Sequence, residues 1–68
     1  MKNNLKVNRI IKGYSQEQLA QLAGVSRQTI HALEAGKYVP STTLSLKLSL
    51  ILGQKTEDLF ELEERDWQ

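Results

Sequence analysis

Apolar residues fall along this chain in short runs, each closed by a glycine or a proline. Between Asn4 and Lys12, Val7 lies three and four residues from Ile10 and Ile11, spacings that share one helical face, so a first helix is expected with Gly13 as its stop. Ser15 followed three residues later by Gln18 has the form of a capping box, and Leu19, Leu22 and Ala23 give the i, i+3, i+4 stripe of a second helix that ends at Gly24. Ser26 can cap a third helix, whose Ile30 and Leu33 lie three apart while Arg27, Gln28, His31 and Ala32 fall off that stripe; Gly36 closes it. Lys37 to Pro40 reads as a loop, since Pro40 excludes a helical Val39, and Ser41 is placed to cap the next segment.

That segment is ambiguous in period. Leu44, Leu46, Leu48 and Leu50 alternate with polar residues as a strand would, yet the run extends to Gly53, long for a strand, and Leu44, Leu48, Ile51 and Leu52 satisfy i, i+4, i+7, i+8. A fourth helix is the better reading. Thr56 opens a short fifth helix with Glu57 and Asp58 in its first turn, where carboxylates favour the positive end of the dipole, and Leu59 and Phe60 would dock it on the core. The last eight residues, Glu61 to Gln68, fit a frayed helix, a short edge strand or disorder. The expected organisation is one all-α domain over residues 1–60 with a short acidic tail over 61–68.

Length sharpens this picture. A domain of 68 residues buries only about 60% of its unfolded surface, and with no cysteine in the chain neither disulfides nor thiolate metal sites can reinforce it. His31 is the one histidine, so no zinc site can be built around it, and no metal or cofactor is expected. Packing, aided by dimerisation, must carry the stability. No apolar segment follows Met1-Lys2-Asn3-Asn4, and no run approaches the roughly 18 to 20 apolar residues of a membrane span. No membrane association and a cytoplasmic location are therefore expected.

The net charge of +1 conceals a division. Residues 1–55 carry eight bases against two acids, a balance of +6, whereas residues 56–68 carry six acids against Arg65, a balance of −5. One part could face a polyanion from which the tail is repelled, or both could be ordinary solvated surfaces.

Residues 16–35 meet the packing demands of two helices crossing steeply through a tight turn. Ala20 is small where the helices cross, Gly24 supplies the positive φ of the corner, Val25 plugs it, and Leu19, Ile30 and Leu33 complete the wedge. An ordinary αα-hairpin would not require this joint pattern at fixed offsets. With Gln16, Leu19-Ala20, Gly24-Val25-Ser26, Ile30, Leu33-Glu34, Gly36-Lys37 and Pro40-Ser41, the chain resembles the phage repressor and Cro-like helix-turn-helix family, also called the xenobiotic-response-element type. The resemblance covers about residues 3–60 and is strongest to members that consist of little beyond this domain. It implies a five-helix, lambda-repressor-like domain that binds double-stranded DNA as a homodimer on a palindromic operator, its third helix in the major groove.

The residue chemistry of the third helix is compatible with that role. Arg27 and Gln28 suit bidentate reading of guanine and adenine edges, Ala32 can touch a thymine methyl, and His31 could read a base, meet a phosphate or stay in solvent. Gln16 opens the second helix, where free backbone N–H groups can hold a phosphate; Ser26, Thr29, Lys37 and Tyr38 are further phosphate candidates. Family members often carry Asn at the position of Ala35, a departure that removes one phosphate contact the family would supply. The resemblance also implies that Glu34, acidic within a basic region, pairs with Arg9. Tyr14 fits core packing or a DNA contact equally.

Leu46, Leu50, Leu62 and Trp67 would leave an apolar patch away from the basic segment, which reads as a dimer surface or as exposed side chains without consequence. No nucleophile with a plausible base, phosphate-cradling glycine loop or paired carboxylates appear, so no enzymatic activity is expected. The function expected is sequence-specific transcriptional regulation, as a repressor. The other candidate is a protein-interaction module of the antitoxin type, using the tail or the Leu46/Leu50 surface against a partner protein.

Overall fold

A computed structural model describes all residues from Met1 to Gln68. Five helices follow one another: α1 (Leu5–Ile11), α2 (Gln16–Ala23), α3 (Arg27–Glu34), α4 (Thr42–Leu52) and α5 (Thr56–Leu59). Two short strands bracket them, β1 (Lys2–Asn3) and β2 (Phe60–Glu61), and a final 3₁₀ helix spans Glu64–Trp67. Each of the serines expected to cap a helix accepts a backbone N–H three residues on: Ser15 from Gln18, Ser26 from Thr29 and Ser41 from Leu44. At Ser15 the box is reciprocal, because its own N–H donates to Gln18 Oε1 at 2.8 Å.

The first four helices each end at a glycine of positive φ. After α2, Gly24 takes φ 71°, its N–H donates to Gln21 O, and the Val25 N–H reaches back to Ala20 O at 3.0 Å. This pair of bonds satisfies carbonyls that the helix leaves orphaned and turns the chain sharply, a conformation that costs a Cβ-bearing residue but not glycine. The same pair of bonds closes α3, from Gly36 to Leu33 O and from Lys37 to Ala32 O.

The core consists of Leu5, Leu19, Ala20, Ala23, Ile30, Leu33, Leu44, Leu48, Leu52 and Leu59, with Tyr14, Val25, Ile51 and Phe60 packed around it. Leu44, Leu48, Ile51 and Leu52 thus form the inner face of α4, as their helical spacing requires, and the alternating Leu46 and Leu50 are left outside. Lys47 reaches from α4 to the carbonyl of Ala23 at 3.4 Å, a cation on the negative end of α2.

One apolar stripe read from the sequence does not face inward, and a second does so only in part. Val7, Ile10 and Ile11 lie on the solvent side of α1, and Leu22 is more than half exposed on α2. In α1 the inner face belongs to Leu5 and Arg9. Arg9 takes that place because its guanidinium finds carboxylate and carbonyl acceptors inside, so the helix turns its β-branched residues outward. In α2, the neighbouring Ala20 completes the inner face with Leu19 and Ala23 in place of Leu22.

The tail resolves into two of the forms its sequence allowed. β2 pairs antiparallel with β1, Lys2 opposite Glu61 and Asn3 opposite Phe60. Beyond it the 3₁₀ helix is fixed by Glu63 and Asp66, and the Met1 ammonium lies 2.9 Å from Glu63 Oε1 and 3.2 Å from Asp66 Oδ2. The fold is helical with this small strand pair joining its ends.

Candidate nucleic-acid interface

The α2–α3 pair carries the most extensive helix contact in the molecule. Ala20 is buried at the crossing, Val25 is half-buried at the corner, and Leu19, Ile30 and Leu33 are enclosed between the two helices and the core. Burying Ile30 and Leu33 commits the opposite side of α3 to solvent, because an eight-residue helix with one packed stripe has only one other broad face. That exposed side begins at the N-terminus of α3 with Arg27 and Gln28 and continues one turn on with His31.

Arg27, Gln28 and His31 line one shallow depression; Gln28, Thr29, Ala32 and Tyr38 line another. None of Arg27, Gln28, His31, Lys37 or Tyr38 spends its side chain on a hydrogen bond or ion pair within the chain. Donors left free on an exposed helix end are available to a ligand from outside. Ser26 and Thr29 differ: the Ser26 hydroxyl accepts the Thr29 N–H and lies 3.0 Å from Thr29 Oγ1, so both hydroxyls are partly engaged in capping α3.

Glu34 is withdrawn from this surface by a buried network. Arg9 Nε donates to Glu34 Oε2 at 2.6 Å and Nη2 to Oε1 at 3.1 Å, a bidentate pair with both side chains nearly enclosed. The third guanidinium nitrogen, Nη1, donates to the Tyr14 carbonyl at 2.9 Å. The hydrogen bond to Glu34 raises the Arg9 pKa against the opposing effect of burial, so the guanidinium stays charged. Gln16 adds its amide N–H to Glu34 Oε1 at 3.1 Å.

Gln16 therefore has a structural partner that its sequence position did not disclose. One amide proton remains for another acceptor, and the first-turn N–H groups of α2 have no intrahelical partner. The structure brings Arg27, Gln28, Thr29, His31, Ala32 and Tyr38 onto one side, with Lys37 adjoining through the turn that ends α3. Leu46 and Leu62 meet in a separate groove with Val39, Pro40 and Phe60, which shares no residue with either depression on α3. Leu50 and Trp67 are strongly exposed outside it.

Comparison with known proteins agrees with this geometry. The helix-turn-helix family matches residues 5–60, which is α1 through the first residue of β2. An uncharacterized HTH-type transcriptional regulator of Bacillus subtilis (strain 168), YgzD, is 50% identical over 66 residues, 97% of this chain and 100% of the relative. The restriction-modification controller protein C.AhdI from Aeromonas hydrophila superposes with a TM-score of 0.75 at 38% identity, over 82% of this chain and 85% of that one. A chain of the SinR protein/SinI protein complex gives 0.77 at 28% identity, over 91% of this chain and 61% of that one. No helix is long and apolar enough to cross a membrane. The chain belongs to the helix-turn-helix family of DNA-binding transcriptional regulators, of the phage repressor and Cro-like type.

Proposed function

We propose that this regulator binds a palindromic duplex as a homodimer, each copy laying α3 in the major groove. The observation that carries the reading is the pairing of free donors with a sequestered acid. Arg27, Gln28 and His31 project unpartnered from α3, while Glu34, the acid of the same helix, is consumed by Arg9 and Gln16. Arg27 takes guanine, Gln28 adenine and Ala32 a thymine methyl, with His31 on the same base-facing side. Gln16, through the α2 amides and its spare proton, Ser26, Thr29, Lys37 and Tyr38 hold phosphates and set the register. Leu46, Leu50, Leu62 and Trp67 belong to the dimer surface, so that two copies of α3 face successive turns of one groove. The output is repression from the cytoplasm, with no catalytic step.

Substitution on selected and random DNA tests this. Arg27→Ala or Gln28→Ala should cost roughly 1 to 3 kcal/mol per half-site and relax preference at one base pair in each half. Lys37→Ala should weaken binding to every sequence alike and lower the magnitude of the salt slope by about 0.9 for each copy bound. If all three variants act identically on specific and random duplexes, the base-reading roles are wrong.

The likeness to a chain solved in a complex of two proteins supports a second reading, an antitoxin-like module that binds a partner protein. Co-purification of a stoichiometric partner that displaces DNA would favour it.

A further inference from the structure

We propose that Trp67 of one copy seats in the groove beside α4 of a second copy, reciprocally across a two-fold axis. This rests on the homodimer reading above and supplies its anchor residue.

The groove is about 440 Å³ and is lined by Val39, Pro40, Leu46, Phe60 and Leu62, with Glu57 among its polar residues. That volume lies within the ~300–1,000 Å³ of sites that enclose small ligands, so it has room for an indole. Trp67 is the only tryptophan of the chain and is 78% exposed. An indole left in water is the costliest apolar exposure a chain can carry, since one such ring buries about 150–250 Å² when covered. Against the ~800 Å² per partner of a standard interface, it would supply roughly a quarter.

The backbone that carries it is held in place. Trp67 closes the 3₁₀ helix in which Glu63 accepts from the Asp66 backbone and Asp66 accepts the Glu63 N–H at 2.7 Å. Met1 and Leu62 line the groove, and the Met1 ammonium pairs with Glu63 and Asp66, so the 3₁₀ helix that carries Trp67 is tied to a residue of the groove wall. An isologous contact requires each copy to offer both a knob and a hole, and this chain carries both. Indole Nε1–H is a donor only, and Glu57 in the groove is an acceptor whose own backbone N–H and Thr56 hydroxyl hold its carboxyl below the usual range. The groove shares no residue with the α3 surface, which leaves both recognition helices free.

The test follows molecular mass by sedimentation equilibrium and Trp67 emission on the same concentration series of the full chain. Dimerisation should be accompanied by a blue shift of the emission, and Trp67→Ala, with its helical circular dichroism unchanged, should weaken the dimer roughly tenfold or more. Val39→Glu should abolish the shift and the dimer together. A dimer that forms while emission stays at the water-exposed wavelength, or that Trp67→Ala leaves equally tight, overturns the seating but leaves the homodimer intact. A chain that stays monomeric alone and on selected DNA overturns both.

Discussion

Replacing Glu34 with alanine should come close to unfolding the domain. The substitution leaves the Arg9 guanidinium beneath α3 with one acceptor, the Tyr14 carbonyl, where it now has three, and removes the acceptor of the Gln16 amide. Breaking one side of a buried ion pair costs about 3–5 kcal/mol, because the surviving charge stays desolvated without compensation. A chain of 68 residues has a total stability of roughly 3–10 kcal/mol at 0.05–0.15 kcal/mol per residue, so one side chain holds a large share of it. With a urea slope near ~1 kcal/mol per molar for a small domain, the midpoint followed by circular dichroism should fall by about 3 M or more. Arg9→Met should be comparably damaging. The joint variant Arg9→Met/Glu34→Leu should lose much less than the two singles added, because neither charge is then stranded. Single losses below about 1 kcal/mol, the range of exposed pairs, or strict additivity would refute the buried-network argument.

Three further outcomes are expected from the packing and charge geometry. Ile11→Glu should change stability by no more than about 0.5 kcal/mol, while Leu5→Ala on the same helix should cost about 2–5 kcal/mol; chemical denaturation of the two variants checks which face of α1 is inside. Gly24→Ala should destabilise by roughly 1–2 kcal/mol through its φ of 71° alone, since a Cβ there would meet only the end of Lys47 at 3.9 Å; a melting temperature equal to wild type would contradict this. The Met1 ammonium is raised in pKa chiefly by Glu63, Glu63 is lowered chiefly by that ammonium, and Asp66 is lowered chiefly by the Glu63 N–H. The ammonium's contribution is lost as pH rises through its raised value and the carboxylates' as pH falls through theirs. Amide exchange in β1 and β2 should therefore be slowest near neutrality relative to its intrinsic rate, and Glu63→Gln should blunt the alkaline loss.

Much of the fold was legible because its boundaries are chemical. Ser15, Ser26 and Ser41 cap, and Gly13, Gly24, Gly36 and Gly53 all adopt positive φ at helix ends, so the five segments could be divided from residue types alone. The inner face of α1 was not legible from its spacing: in this seven-residue helix Val7, Ile10 and Ile11 lie opposite Leu5 and Arg9 and read naturally as the inward side. The pairing of Arg9 with Glu34, which the family resemblance implied, and with the Tyr14 carbonyl reverses that. β1 and β2 are two residues each, too short to show a period of two. On α3 the exposed face followed directly from Ile30 and Leu33. The engagement of Gln16 by Glu34, eighteen residues away, has no local signature.

Base reading by α3 meets its most direct test in selection of bound sequences from a random duplex library by the purified chain. A regulator working as described enriches a palindrome whose half-sites lie about 34–36 Å apart, and Gln28→Ala shifts the preference at a single position in each half. Enrichment of no sequence, or of the same palindrome by a variant lacking both Arg27 and Gln28, would contradict it.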